Sequence, residues 1–112
     1  MPFIDVKTNV AVSDDKKENI KSALGQAISL LPGKSENWLM VGINDNYDLW
    51  FKGDKSPAAM VEVKTYGTNA QGSENLTGEI CNLLNNELGI AMGRIYVSYF
   101  GTPNWGWDGR NF

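Results

Sequence analysis

The stretch MPFIDVKTNV, residues 1–10, decides the fold because its side chains alternate between apolar and polar. The apolar members are Ile4, Val6 and Val10, and the polar members between them are Asp5, Lys7 and Asn9. A period of two residues is typical of a β-strand that buries one face. The sequence therefore predicts a strand over Phe3–Val10, with Pro2 at its start.

A helix and further strands are predicted to follow. The helix has Ser13 as its N-cap and ends at Pro32-Gly33. Its apolar stripe, with helical spacing, consists of Ile20, Ala23, Leu24, Ala27, Ile28 and Leu31. Beyond it, Trp38–Ile43 is typical of a buried strand, and Tyr47–Lys52 (YDLWFK) is a candidate short strand.

The second half of the chain repeats this plan. A strand is predicted over Ala58–Tyr66, a loop over Thr68–Gly72, a helix capped by Ser73, and a final strand over Arg94–Phe100. The apolar stripe of this helix is Leu76, Ile80, Leu83, Leu84 and Leu88, and Gly89 ends it. Two strand–helix–strand units predict an α/β fold with an internal pseudo-twofold, a four-stranded sheet and both helices on one face.

The second face of this sheet has no helix to cover it. Right-handed crossovers place both helices on the same side. Yet the strands over Trp38–Ile43 and Arg94–Phe100 have apolar residues on both faces. Self-association is the economical way to cover such a surface, so we expect an oligomer.

Composition excludes several function classes. The 112 residues fit one domain, residues 1–112, and a net charge of −3 gives no support to nucleic-acid binding. No apolar run approaches a membrane span, and the N-terminus lacks the features of a secretory signal. We therefore expect a cytoplasmic protein, with unconventional export left open. Cys81 has no partner for a disulfide, and no Cys/His cluster predicts a metal site.

Pro2 is the candidate for chemistry at neutral pH. Aminopeptidases remove an initiator methionine when the next residue is small, and loss of Met1 would leave a free secondary amine. A pocket or a nearby cation lowers the pKa of such an amine, which makes it a general base near neutrality. The chain contains no histidine and one cysteine, so the more usual neutral-pH bases and nucleophiles are scarce.

Several segments together resemble a known family. They are MPFIDVKTNV, Leu31-Pro32-Gly33-Lys34, VEVKTYG at Val61–Gly67, Asn82-Leu83-Leu84 before Leu88-Gly89-Ile90, Arg94-Ile95-Tyr96-Val97, and Trp105-Gly106-Trp107 to Phe112. In order and spacing, they resemble the macrophage migration inhibitory factor and D-dopachrome tautomerase family of the tautomerase superfamily. The resemblance covers nearly the whole chain.

This resemblance implies a homotrimer with pockets at subunit interfaces and a keto–enol tautomerase acting on phenylpyruvate or dopachrome-type substrates. Pro2 is then the base, and Lys34 binds the carboxylate of a small aromatic 2-keto acid. The Tyr66 backbone amide meets the substrate, and no cofactor is required. A neighbouring subunit contributes Tyr96 and Ser98. The aromatic wall is then Phe112, with Trp105 as a further candidate.

Two departures from the family and two other functions stay open. Ser98 stands where many animal members have asparagine, and Tyr66 replaces a smaller aliphatic residue, so substrate preference is in question. One alternative is a cytokine-like signalling or binding protein with a vestigial pocket and a receptor that the sequence does not name. The other is a dehalogenase or decarboxylase of the same superfamily, for which Arg110 is the candidate pocket arginine.

Overall fold

A four-stranded sheet organises the structure, a computed structural model that describes residues 1–67 and 71–112. The elements in chain order are β1 (Pro2–Thr8), α1 (Asp14–Ala27), β2 (Met40–Asn44), β3 (Ala59–Tyr66), α2 (Ser73–Leu88), β4 (Ile95–Thr102), β5 (Gly106–Trp107) and β6 (Arg110–Asn111). Short 3₁₀ helices lie at Ile28–Leu30, Glu36–Trp38 and Met92–Arg94. No helix among the described residues is long and apolar enough to cross a membrane.

The strand order confirms the repeated plan. The sheet runs β2-β1-β3-β4, with β1 parallel to β2, β3 parallel to β4, and β1 antiparallel to β3. Each half of the chain is thus one strand–helix–strand unit, and the two units join through their first strands. The sequence predicted this α/β architecture.

One face of the sheet carries the core. Residues of both helices and of the strands belong to one buried cluster, so both helices cover the same face, as predicted. Its fully buried members include Ile4, Val6, Ile20, Leu24, Val61, Val63, Leu76, Ile80 and Leu84. Alternation in β1 has placed Ile4 and Val6 in this layer and left Asp5 and Lys7 on the other side.

The two helix starts differ in how well the sequence predicted them. Ser13 is the N-cap of α1, and its Oγ accepts a hydrogen bond from the Lys16 N–H at 3.3 Å. The prediction for Ser73 is wrong, because Gly72 is the N-cap of α2 and Ser73 is its first helical residue. Gly72 has φ of 83°, and a Cβ there would overlap the Leu30 carbonyl oxygen. Close backbone approach therefore selects glycine at this position.

Two strand predictions also need correction. The strand predicted from Trp38 starts at Met40, because Glu36–Trp38 forms a 3₁₀ turn first. YDLWFK at 47–52 forms no strand; it contributes one isolated bridge, between Phe51 and Asp54. The predicted loop Thr68–Gly72 lies partly outside the described residues.

The hairpin of β5 and β6 was missed, although the sequence carries a signal for it. The turn residues Asp108 and Gly109 have φ of 55° and 84°. An Asp-Gly pair is the usual choice where a two-residue hairpin turn needs two positive φ angles.

The free face of the sheet is apolar at its edges and charged in its middle. Its edge strands present exposed Met40, Tyr96 and Phe100. Its inner strands instead carry a salt-bridge group in which the Lys7 ammonium contacts the Asp5 carboxylate at 2.5 Å and the Glu62 carboxylate at 3.5 Å. The sequence predicted an apolar free face, and the structure shows one that is apolar along its two edge strands and charged between them.

Candidate functional site

The N-terminus is held at the end of β3. Pro2 is buried and pairs with Thr65, which is the register that the antiparallel β1–β3 ladder imposes. One step further, the Tyr66 N–H donates a hydrogen bond to the Met1 carbonyl oxygen at 3.2 Å. The start of the chain is thereby fixed against the backbone of Tyr66.

Lys34 reaches the backbone of the same residue, Tyr66, from the end of the first helical segment. The chain turns through Gly33, whose φ is 78°, and the Lys34 N–H donates to the Leu31 carbonyl oxygen at 3.1 Å. The Lys34 Nζ then donates to the Tyr66 carbonyl oxygen at 3.1 Å. The fold thus brings the N-terminus, Lys34 and Tyr66 together, three places far apart in the sequence.

The electrostatics of this corner disfavour a protonated amine. Burial in the first place, and the positive charge of Lys34 in the second, lower the pKa of the Met1 amino group from its ordinary value. An amine at this end of β1 is therefore unprotonated to a greater extent near neutral pH than one in open solvent. While Met1 is attached, the nitrogen of Pro2 is an amide and has no basicity.

Aromatic rings line one side of the site. The Phe112 N–H donates to the Trp105 carbonyl oxygen at 3.1 Å, which folds the tail back on itself. The Phe112 ring packs against the Tyr66 ring at 5.2 Å and near the Trp107 ring at 6.2 Å. Trp107 in turn meets Trp38 edge to face, with 5.2 Å between ring centroids. The site reasoning from sequence missed Trp38 and Trp107, because their contact depends on the hairpin.

A cleft of about 450 Å³ opens between these rings and the start of β1. Its lining residues are Met1, Pro2, Phe3, Asn37, Trp38, Leu39, Met40, Trp105, Gly106 and Trp107. The apolar wall and the buried strand end suit a small aromatic group. Lys34 does not line this cleft, but its charge acts on the Met1 amine at one end of it. Among residues 1–67 and 71–112, no three His, Cys, Asp or Glu side chains are grouped so as to hold a metal ion.

Two of the predicted site residues lie elsewhere in the same chain. Tyr96 pairs with Met60 of β3, whereas Pro2 pairs with Thr65. Five residues of strand separate those positions, which is about 17 Å. Tyr96 also points to the free face, while Pro2 shares the helix-covered face with the core.

Ser98 lies on the free face between Tyr96 and Phe100. It pairs with Glu62, and its hydroxyl oxygen is buried without a hydrogen-bond partner in the part of the chain that the structure describes. Within one chain, the predicted residues thus fall into two groups. Pro2, Lys34, Tyr66 and Phe112 form the first group, and Tyr96 and Ser98 form the second.

Known proteins resemble the chain over its full length. The family model for macrophage migration inhibitory factor matches residues 1–112. The macrophage migration inhibitory factor of Meriones unguiculatus is 31% identical over 116 residues, which cover 100% of this chain and 99% of the relative. The crystal structure of Leishmania major MIF2 superposes with a TM-score of 0.91 at 34% identity, covering 100% of this chain and 97% of that one. For the homologue from Prochlorococcus marinus, the TM-score is 0.86 and the identity 26%, with 98% of both chains covered.

The tail hairpin should depend on Gly109. Its φ of 84° is unfavourable for any other residue, so Gly109→Ala should weaken the hairpin by about 1–2 kcal/mol and loosen Trp107 from Trp38. The indole N–H resonances of these two tryptophans should shift, while that of Trp50, on another loop, stays in place. Gly93→Ala is the matched control, because a Cβ there meets open space. Unchanged Trp38 and Trp107 resonances would show that the hairpin does not hold the wall.

Proposed function

The chain belongs to the macrophage migration inhibitory factor family, and on that premise we propose that it is a keto–enol tautomerase. Its substrates are of the phenylpyruvate or dopachrome type, and its general base is the nitrogen of Pro2 after removal of Met1. The observation that carries the proposal is the meeting of the N-terminus with Lys34 and the Tyr66 peptide.

The base is the amine that processing would create. Loss of Met1 moves the terminal amine to Pro2, which is buried. Burial and the Lys34 charge, which lower the pKa of the amine on Met1, act on the same corner of the fold. A secondary amine that is neutral near pH 7 can accept a proton from the carbon next to a carbonyl.

The proton transfer is balanced without any other reactant. In the keto-to-enol direction, the amine of Pro2 takes a proton from the α-carbon, and the electron pair moves to form the C=C bond. The carbonyl oxygen gains a proton and becomes the enol hydroxyl, while Pro2 returns its proton. The reverse steps convert the enol to the ketone.

Lys34 and the Tyr66 amide supply the contacts for the substrate carboxylate or carbonyl oxygen. With Met1 present, the Tyr66 N–H is already occupied by the Met1 carbonyl oxygen at 3.2 Å. Removal of Met1 would free this donor toward the space that Met1 fills. The Lys34 ammonium, which contacts the Tyr66 carbonyl oxygen at 3.1 Å, would add a charge-assisted hydrogen bond to the substrate.

The ring of the substrate would lie against the aromatic wall. Trp38, Trp105 and Trp107 line the cleft, and the Phe112 ring lies 6.2 Å from the Trp107 ring. Apolar and aromatic surface of this kind favours an aromatic 2-keto acid over a small aliphatic one.

The pocket is completed in a homotrimer. Tyr96 lies about 17 Å along the sheet from the position of Pro2 and on the opposite face, so one chain cannot bring the two residues together. The apolar margins of the free face, with Met40 at 67% and Tyr96 at 60% exposed, are the surface that neighbouring copies would cover. Tyr96 and Ser98 would then enter the pocket of the next subunit.

Processing at Met1 should decide activity. Protein without Met1 should convert enol-phenylpyruvate to the keto form, and protein that retains Met1 should be inactive because its Pro2 nitrogen is an amide. Pro2→Gly keeps a free but primary and flexible amine, so it should lose most of the rate, within the roughly 10²–10⁴-fold that a general base contributes. Mass spectrometry assigns the N-terminus of each sample. Equal rates from the two forms would remove Pro2 from the mechanism and favour a binding role.

Lys34→Met should weaken substrate binding and move the pH profile. Loss of a charge-assisted hydrogen bond should raise KM for phenylpyruvate by roughly 10- to 100-fold. The Lys34 charge lowers the pKa of the Met1 amine, and we expect the same effect on the Pro2 amine after processing, so removal of that charge should raise the pKa. The acidic limb of kcat/KM should therefore shift to higher pH. Lys21→Met, on the exposed side of α1, is the matched control. If KM and the acidic limb of the kcat/KM profile are both unchanged, Lys34 is a solvated lysine without a role in substrate binding.

Sedimentation velocity should report an assembly of three chains of 12.4 kDa each. Met40→Glu, at an exposed position on the free face, should shift the distribution toward monomer. Leu30→Glu places the same charge at a residue that is 38% exposed beyond α1 and should leave the assembly intact. A stable wild-type monomer at micromolar concentration would contradict both the trimer and the interfacial pocket.

A further inference from the structure

Arg94 binds the loop over residues 51–57 at the start of β4. Its Nε donates to the Pro57 carbonyl oxygen at 2.9 Å, and its Nη2 donates to the Ser56 carbonyl oxygen at 3.0 Å. The same Nη2 lies 2.9 Å from the Asp54 carboxylate and 3.3 Å from the Phe51 carbonyl oxygen. The side chain is only 18% exposed, and these contacts hold the Nε and Nη2 edge of its guanidinium against the loop.

The loop needs such a clamp because its turn is unfavourable by itself. Phe51 and Asp54 exchange backbone hydrogen bonds of 2.9 and 3.2 Å around Lys52 and Gly53. Lys52 has φ of 52°, which costs a non-glycine residue about 1 kcal/mol or more unless the surroundings fix it. Arg94 contacts both ends of this turn, so it fixes the conformation in which the Phe51 side chain is presented.

Phe51 connects the clamp to Tyr96. The two rings meet edge to face, with centroids 5.1 Å apart and planes at 82°, and the Arg94 guanidinium lies 5.1 Å from the Phe51 centroid. In the described part of the chain, Phe51 supplies the ring contact of Tyr96, whose side chain is otherwise 60% exposed. A cavity of about 140 Å³ borders Phe51, Arg94 and Tyr96, so a released Phe51 has room to turn away.

We propose that Arg94 is a positioning residue for substrate binding, acting through Phe51 to hold the Tyr96 ring in its binding orientation. The inference rests on the proposed function, in which Tyr96 belongs to the pocket of a neighbouring copy. A ring that is already held costs less conformational entropy on binding than one that must be ordered. Loss of the clamp therefore weakens substrate affinity and leaves the chemistry at Pro2 nearly unchanged.

The test compares Arg94→Lys, Tyr96→Ala and the double variant in protein without Met1. Lysine keeps the charge but loses the planar fork that reaches several carbonyl groups at once. Arg94→Lys should raise KM for phenylpyruvate about 3- to 10-fold while kcat changes less than about twofold. The Kd of 3-phenylpropionate, which lacks the keto group, should rise by the same factor in calorimetry. Adding Arg94→Lys to Tyr96→Ala should change neither quantity further, because both act on one ring.

Phe51→Leu breaks the ring contact without touching Arg94 and should reproduce the rise in KM and Kd. If thermal unfolding shows that Arg94→Lys is unfolded, Phe51→Leu becomes the deciding variant. A wild-type Kd in folded Phe51→Leu would then overturn the role of Arg94. Lys17→Met is the control, because it removes an ion pair to Asp45 that includes neither Phe51 nor Tyr96. It should leave KM and Kd at their wild-type values.

The remaining outcomes separate the inference from the proposed function. Wild-type KM and Kd in folded Arg94→Lys would overturn the role of Arg94 and leave the proposed function standing. The same holds if the increases in Kd caused by Arg94→Lys and Tyr96→Ala multiply in the double variant. Wild-type values in Tyr96→Ala would overturn the role of Arg94 as well, together with the binding role of Tyr96. Absence of turnover in the Met1-free wild type would defeat the proposed function, while the Kd series would still decide the inference.

Discussion

The antiparallel pairing of β1 with β3 is the constraint on which the rest of the structure depends. It joins the two strand–helix–strand units, and its register places Pro2 opposite Thr65. A shift of one residue would turn Ile4 and Val6 out of the core, so burial of that face fixes the register. The same register brings the N-terminus beside the Tyr66 peptide. The position of the candidate site is thus set by the packing of the core rather than by a loop.

This arrangement also explains why the free face differs between its centre and its margins. On the inner strands, Lys7 forms ion pairs with Asp5 and Glu62. The outer strands instead carry exposed Met40 and Tyr96. Contact between copies along the margins would bury apolar area without desolvating the charged middle. Under the proposed function, these margins have a second use, since Tyr96 on one of them enters a neighbouring pocket. Assembly and substrate binding would then depend on the same side chain.

The sequence predicted those features that local pattern determines. Alternation in residues 3–10 marked β1, although the strand ends at Thr8 rather than Val10. The side chain of Ser13 caps α1 as its type suggests. The prediction from sequence failed where a contact between residues far apart in the chain determines the local structure. Gly72 rather than Ser73 caps α2, because the backbone there passes close to the Leu30 carbonyl oxygen. YDLWFK has the composition of a strand, yet its end is folded into a turn that Arg94 holds from 40 positions away along the chain.

The candidate site shows the same division. Lys34 was placed by resemblance, and the structure brings its ammonium to the Tyr66 peptide. Trp38 and Trp107 were overlooked, because their ring contact exists only after the Asp108-Gly109 turn has folded the tail. The roles of all the predicted site residues stay predictions, since they depend on processing, on assembly or on a bound substrate; these residues are Pro2, Lys34, Tyr66, Tyr96, Ser98 and Phe112.

The Met1 carbonyl links maturation to ligand binding in this picture. With Met1 present, the Tyr66 N–H donates to the Met1 carbonyl oxygen, and the Lys34 ammonium donates to the Tyr66 carbonyl oxygen. Removal of Met1 would leave that N–H available to water or to a ligand, since Tyr66 is 38% exposed. A substrate oxygen that accepts from Tyr66 would replace the Met1 carbonyl oxygen as its partner. Under the proposed function, the cleavage that creates the base would therefore also create the affinity for an anionic substrate, so the two properties would appear together.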